Sequence, residues 1–172
     1  MFELEKVDFD IMGDLIEEFY HQCYLDGSVN NSSKQAMKVG VFDDDHWWAY
    51  LYKGKVISMS GCYKTDDFGQ GGWRLLFRSV TLKKYRGKAG TFSRDLNHDF
   101  CFGHLLNAQK NFINKKKTRL MFFTTNSSND GDAGSLKANR YVEKILYPRG
   151  RVKLLKSDYS YFYCKQNIWQ IL

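Results

Sequence analysis

The chain of 172 residues is long enough for one globular domain, because a chain of this size buries roughly 68–70% of its surface on folding. Apolar residues make up 43% and charged residues 26%, which is typical of folded proteins and excludes a disordered chain. No apolar run approaches the roughly 18 residues of a membrane span, and the acidic start is unlike a signal peptide. We therefore expect a cytoplasmic protein with no membrane contact and a single domain over residues 1–172.

Charge is segregated along the chain. Residues 1–45 carry eleven acidic residues against three lysines, a net charge of −8. The remaining 127 residues carry 23 basic and 8 acidic residues, a net charge of +15. Such asymmetry favours two differently charged surfaces, one of which suits an anionic partner.

The first half of the chain predicts a strand, a helix and then several strands. Residues Phe2–Val7 alternate as in a strand. Apolar residues then recur every four positions and predict an amphipathic helix with Asp10 as its cap: Ile11, Leu15, Phe19 and Cys23. A shorter helix is expected at Lys34–Val39. Beyond it, WWAYLY and VISMSGCY form a hairpin around Gly54, and Trp73–Leu82 is a further strand.

The second half predicts alternating helices and strands. A helix beginning near Gly103 ends in three lysines, and the apolar run Leu120–Thr125 is typical of a buried parallel strand. A helix containing Val142 follows, and Arg151–Leu155 and Ser160–Cys164 are predicted as two closing strands. We expect an α/β (α+β) domain with a mixed central sheet of about seven strands flanked by about four helices.

The segment from Ser79 to Gly90 is the most informative for function. A strand leads into a loop rich in glycine and cations, which is typical of phosphate-binding loops before a helix. Its basic side chains suit charge-assisted contacts with phosphate: Lys83, Lys84, Arg86 and Lys88.

This loop, Tyr85-Arg86-Gly87-Lys88-Ala89-Gly90, resembles the "YRGKGxG" coenzyme A loop of the GNAT superfamily of N-acetyltransferases. The order of predicted elements is similar over essentially the whole chain. The segment Ala138–Lys144 is also similar to the family's "A-x-x-x-Y-E-K" helix.

The resemblance implies an N-acetyltransferase with acetyl-CoA as co-substrate. The pantetheine arm would bond to backbone near Val80, Thr81 and Leu82, and the pyrophosphate would rest on Arg86, Gly87, Lys88, Ala89 and Gly90. A primary amine would then attack the thioester directly, without a covalent enzyme intermediate.

The sequence departs from the family pattern at three places. Ala89 replaces a usual glycine, and Thr91 replaces a second small residue. The path from Arg86 to Leu120–Thr125, which resembles the fifth strand of the family, is longer than usual, so Thr91–Phe102 is an expected insertion. Val142 occupies the position of the usual tyrosine acid, which leaves the neighbouring Tyr141 as the candidate for protonating the thiolate, with simple packing as its alternative.

No general base is evident in the predicted strand Trp73–Leu82, which contains no carboxylate. Asp66 and Asp67, after the preceding strand, are the nearest carboxylates, with an ordinary surface loop as the alternative. The four histidines lack the spacing of a metal site, so we expect no metal.

We expect the acceptor to be a small-molecule or peptide amine, and the protein to be a monomer or a homodimer. The acidic first 45 residues favour a cationic acceptor drawn to Glu17, Glu18 or Asp26. Three alternatives stay open: a longer acyl donor, a degenerate coenzyme A-binding or interaction module, and, less favoured, a basic nucleic-acid-binding surface.

Overall fold

The computed structural model describes residues 2–32, 40, 42–86, 101–118, 120–127, 139–162 and 164–172. These residues contain seven strands: β1 (Phe2–Lys6), β2 (His46–Tyr52), β3 (Lys55–Lys64), β4 (Gly72–Thr81), β5 (Leu120–Asn126), β6 (Val152–Tyr161) and β7 (Cys164–Ile171). They also contain two α-helices, α1 (Phe9–Leu25) and α2 (Cys101–Asn114), a 3₁₀ turn (Lys83–Tyr85) and a π-helical turn (Val142–Leu146).

The strands form one mixed sheet in the order β1-β2-β3-β4-β5-β7-β6. The β4–β5 pair is parallel, whereas β1–β2, β2–β3, β5–β7 and β6–β7 are antiparallel. The predicted mixed sheet of about seven strands is therefore confirmed, as is the parallel strand at Leu120–Thr125. Fewer helices are described than the four expected.

Contacts divide the chain into two compact units. The first comprises residues up to Lys64 together with Leu75–Lys117, and the second comprises Thr65–Arg74 and Thr118–Leu172. Strand β4 contributes to both. A single domain over residues 1–172 stays a prediction.

In the first unit, helix α1 buries its apolar face in the main core. Ile16, Tyr20 and Cys23 are completely buried there, packed with residues of β2 and β3. The helix is capped by Asp8, whose carboxylate accepts the N–H groups of Asp10 and Ile11. The expected cap, Asp10, was wrong because the helix begins at Phe9, two residues before Ile11, which places Asp8 before its first turn.

Gly61 of β3 lies opposite Trp47 of β2, and a Cβ at Gly61 would come within 2.8 Å of the buried indole ring. We expect Gly61→Ala to destabilise the fold by about 1–3 kcal/mol, because a packed core absorbs added volume poorly. Urea unfolding measures this, with Gly13→Ala as the control, since a Cβ at Gly13 would have nothing within 4 Å apart from its chain neighbours and the backbone of its own helix. Equal stability of the two variants would contradict the prediction.

In the second unit, Phe122, Tyr161 and Ile168 form the core, and Phe68 packs edge-on against Phe122. The two closing strands were predicted wrongly. Strand β6 continues through the polar residues taken for a turn, because it is an edge strand with mostly exposed side chains. Its register with β7 shifts twice in this stretch, between Leu154 and Lys156 and between Lys156 and Tyr159. The chain reverses instead at Phe162, whose φ of 56° is left-handed.

Several predicted features lie outside the described residues: the helix at Lys34–Val39, most of the insertion Thr91–Phe102 and residues 128–138. Helix α2 begins at Cys101, slightly before the predicted Gly103. No helix in the described part of the chain is long and apolar enough to cross a membrane.

Candidate active site

The ladder between β4 and β5 is short. It comprises three pairs, in which Gly72, Trp73 and Arg74 face Leu120, Met121 and Phe122. Both strands continue beyond these pairs, β4 to Thr81 and β5 to Asn126, but their described residues form no further pairs with each other. The β4 segment Leu75–Thr81 therefore has a backbone edge that is not used by β5, and such an edge can bond an extended amide-containing ligand.

Beyond the ladder, β4 contains two residues in left-handed conformations. Leu76 has φ of 55° and Arg78 has φ of 49°. A left-handed non-glycine residue costs about 1–3 kcal/mol and persists only where surrounding structure imposes it. The buried side chain of Gln109 provides such a constraint, since its Oε1 accepts the Leu76 N–H at 2.7 Å.

The backbone predicted to bind pantetheine makes several bonds within the protein. The Val80 carbonyl accepts from Ser58 Oγ at 3.1 Å, the Thr81 carbonyl accepts from Arg86 Nε at 2.6 Å, and the Leu82 N–H donates to the Ile57 carbonyl at 3.0 Å. These bonds fix the end of β4. A ligand on this segment cannot use the Leu82 N–H, whereas each of the two carbonyls has a second lone pair.

Arg86 joins the end of β4 to the loop that follows α1. Its Nη2 donates to Ser28 Oγ at 2.8 Å in addition to the Nε contact with Thr81. The guanidinium is thus engaged by the protein itself, which the resemblance did not lead us to expect. Gly87, Lys88, Ala89 and Gly90 lie outside the described residues.

Asp26 completes this junction. One carboxylate oxygen accepts from the backbone N–H and the hydroxyl of Ser28, and the other accepts the Lys83 N–H at 2.8 Å. Partial burial by itself raises the pKa of Asp26. The hydrogen bonds from Ser28 and Lys83 and the charge of Arg86 together lower it by more, so the pKa is lower than that of a free aspartate. Asp26 is therefore a structural anchor at neutral pH, with both oxygens engaged.

Glu18 lines a cavity of about 150 Å³ in the first unit. Apolar side chains from α1, β3 and the 3₁₀ turn form much of its wall, among them Phe19, Ile57 and Tyr85. The Glu18 carboxylate pairs with Lys55 Nζ at 3.2 Å, and both groups are largely exposed. Because Lys55 neutralises Glu18, the net negative charge beside the cavity is smaller than the acidic composition of residues 1–45 indicates.

The two candidate bases have different surroundings. Asp66 accepts the Gly71 N–H at 2.7 Å and so closes the loop between β3 and β4. Asp67 accepts a hydrogen bond from the Tyr161 hydroxyl. The structure thus brings only Asp67, of this pair, to a second ionisable side chain among the described residues.

Arg74 lies beside Tyr161 and was not among the predicted site residues. Its guanidinium carbon lies 5.1 Å from the ring centres of both Tyr161 and Phe162, and its Nη2 donates to Thr124 Oγ1 at 3.2 Å. Tyr161 lies 94 residues from Asp67 in sequence, so no local pattern could have indicated this cluster. Tyr141 lies immediately before the π-helical turn and is half-buried.

Two cysteines of the first unit are unsuited to nucleophilic catalysis. Burial, and secondarily Asp26, raises the pKa of Cys23 to about 12, and burial also raises the pKa of Cys62 to about 12. Both thiols stay protonated at neutral pH, whereas the thiolate is the reactive form. The described residues contain no group of three or more side chains able to hold a metal ion.

Comparison with solved structures identifies the architecture as an acyltransferase fold. It is the fold of the GNAT superfamily, as the resemblance predicted. An acetyltransferase from Streptococcus agalactiae shares 15% identity, with a TM-score of 0.57 over 99% of this chain and 98% of its own. A GNAT-family acetyltransferase from Staphylococcus aureus shares 9%, with a TM-score of 0.59 over 100% of both chains. An aminoglycoside 6′-N-acetyltransferase complexed with coenzyme A shares 11%, with a TM-score of 0.56 over 98% of this chain and 94% of its own.

No protein-family model matches the sequence, and no curated protein sequence matches it. At these identities, the solved structures establish the fold of the chain.

Proposed function

We propose that the chain is an N-acetyltransferase that transfers the acetyl group of acetyl-CoA to a primary amine in a ternary complex. The observation that carries this proposal is β4 itself. Its ladder with β5 stops after Arg74, two left-handed residues follow, and the strand leads into the Tyr85–Gly90 loop. An acetyl donor bound along this edge would offer amides to β4 and phosphates to the basic loop.

The proposed reaction is a direct transfer. The amine nitrogen forms a bond to the thioester carbon, the carbon–sulfur bond breaks, the amine loses a proton and the sulfur gains one. Direct attack agrees with Cys23 and Cys62, whose raised pKa values disfavour an acyl-cysteine intermediate. Tyr141 remains the proposed donor of a proton to the sulfur.

We assign the removal of the amine proton to Asp67, acting through the hydroxyl of Tyr161. That hydroxyl already donates to the Asp67 carboxylate, so it can accept a proton from the amine while it passes its own to Asp67. Asp66 is not given this role, because its oxygen holds the Gly71 N–H.

The acceptor class follows from charge. The first 45 residues favour a cationic amine, small-molecule or peptide, although Asp26 and Glu18 already have partners within the protein. Glu17 is exposed, and we propose that it meets such an acceptor.

Calorimetric titration with acetyl-CoA tests the proposed donor site. We expect micromolar binding, and Lys88→Ala should weaken it about 10-fold by removing one charge-assisted contact with the pyrophosphate. Lys153→Ala is the control, because it removes the same charge from an exposed position on β6.

A second titration with dephospho-CoA tests the same contact. Since it keeps the pyrophosphate, Lys88→Ala should weaken its binding by the same factor. No binding of acetyl-CoA at millimolar concentration would contradict the proposed function, and equal binding by the two lysine variants would contradict the role of Lys88.

A further inference from the structure

Gln109 closes a ring of hydrogen bonds around Leu76. The Leu76 N–H donates to Gln109 Oε1 at 2.7 Å, and Gln109 Nε2 donates to Ser60 Oγ at 3.1 Å. Ser60 Oγ lies 2.8 Å from Ser79 Oγ, which in turn donates to the Leu76 carbonyl at 2.9 Å. The ring therefore begins at the N–H of one residue and ends at its carbonyl.

Chemistry fixes the orientation of the Gln109 amide in the ring. An amide oxygen can only accept, so Gln109 must present Oε1 to Leu76 and its NH₂ group to Ser60. Rotating the amide by 180° would place the NH₂ group against the Leu76 N–H and break that bond. The Ser60 hydroxyl lies within hydrogen-bond distance of two acceptors, Ser79 Oγ at 2.8 Å and the Phe77 carbonyl at 3.5 Å.

The ring is placed where β4 is strained. Leu76 is left-handed, Arg78 is left-handed two residues later, and Gln109 and Ser60 are completely buried. A left-handed leucine needs a compensating constraint, and the ring fixes both polar backbone groups of Leu76 at once. Since water does not reach Gln109, loss of the ring would leave buried polar groups without partners.

We propose that Gln109 is a positioning residue for acetyl transfer: through this ring it holds the β4 backbone at Leu76–Ser79 in the shape that receives the thioester. Gln109 does not touch the reacting atoms and acts through the backbone. The inference rests on the proposed function, because it assigns the acetyl donor to the edge of β4.

Kinetics of Gln109→Met test the positioning role. Methionine has a similar length but can neither accept from Leu76 nor donate to Ser60. We expect kcat to fall roughly 10²-fold, the effect of a misplacement of about 1 Å, while KM for acetyl-CoA changes less than about 3-fold. The control is Ile113→Val, which trims a buried residue on the same helix that makes none of the hydrogen bonds of the ring.

Amide exchange measured by NMR tests the ring without any substrate. In the wild-type protein and in Ile113→Val, the Leu76 N–H should be strongly protected, and in Gln109→Met its protection factor should fall at least 10-fold. Gln109→Glu is the conservative variant. Its carboxyl oxygen can accept the Leu76 N–H as the amide oxygen does, so protection of Leu76 should stay well above that of Gln109→Met, and part of kcat should return with it.

Different outcomes would overturn the proposed function and the positioning role of Gln109. Failure of the wild-type protein to bind or turn over acetyl-CoA would overturn the proposed function and, with it, the catalytic part of this inference. Active wild-type protein with an unchanged kcat in Gln109→Met would overturn the positioning role alone. Unchanged Leu76 protection in Gln109→Met would show that the ring does not hold β4, whatever the activity.

Discussion

Replacing Asp67 by asparagine should lower kcat for acetyl transfer by about 10²–10⁴-fold, the range contributed by a general base. The asparagine carbonyl can still accept the hydrogen bond from Tyr161, so the local structure should survive while the basic oxygen is lost. KM for acetyl-CoA and the midpoint of unfolding should change little. Steady-state kinetics with a primary amine acceptor and thermal unfolding measure both.

Asp66→Asn is the matched control for this prediction. It removes the same charge from the adjacent residue, and its amide oxygen can still accept the Gly71 N–H. An equal loss of kcat in the two variants would show a general charge effect. An unchanged kcat in Asp67→Asn would remove Asp67 from the mechanism.

Replacing Asp26 by alanine should destabilise the protein by about 3 kcal/mol, because three hydrogen bonds to one carboxylate are lost at once. The loss should extend to the donor site, since Asp26 holds the N–H of Lys83 and also Ser28, the partner of Arg86. We therefore expect weaker acetyl-CoA binding together with lower stability. Urea unfolding and calorimetry measure the two effects, with the exposed Asp14→Ala of α1 as control.

The contribution of Asp26 to stability should depend on pH with a definite sign. Its pKa is lower in the folded protein than in the unfolded chain, so the folded state favours the ionised form. The stabilisation is complete above the unfolded pKa of about 4 and is lost as the pH falls through the folded pKa. The stability difference between wild type and Asp26→Asn should therefore shrink in acid, and a difference that grows would contradict the assignment.

Most of the fold could be predicted from the sequence, because the spacing of apolar residues and the length of an apolar run are local features of the chain. The four-residue recurrence from Ile11 to Cys23 predicted α1, and the continuous apolar run at Leu120 predicted the buried parallel strand β5. The closing hairpin was misplaced because an exposed edge strand lacks alternation. Residues 156–158 are polar, yet they lie within β6.

The site was less predictable because its contacts join distant parts of the chain. Asp66 and Asp67 are indistinguishable in sequence, and only the fold shows that one closes a loop while the other accepts from Tyr161. The phosphate contact of Arg86 stays a prediction. Its bonds to Thr81 and Ser28 could not be predicted, because they depend on the position of the loop after α1. Gln109 did leave a local signal, since it is a polar residue four positions after Leu105 on the apolar face of α2.

Measurement of coenzyme A release together with the acetylated product would establish whether the protein transfers acetyl from acetyl-CoA to an amine. Wild-type protein and Asp67→Asn would be incubated with acetyl-CoA and a panel of cationic and neutral primary amines, with mass spectrometry to identify the product. We expect amine-dependent release of coenzyme A by the wild type, equal in amount to the acetylated amine, and little release by Asp67→Asn. Binding of acetyl-CoA without amine-dependent release across the panel would contradict this expectation and favour a protein that binds coenzyme A without catalysis.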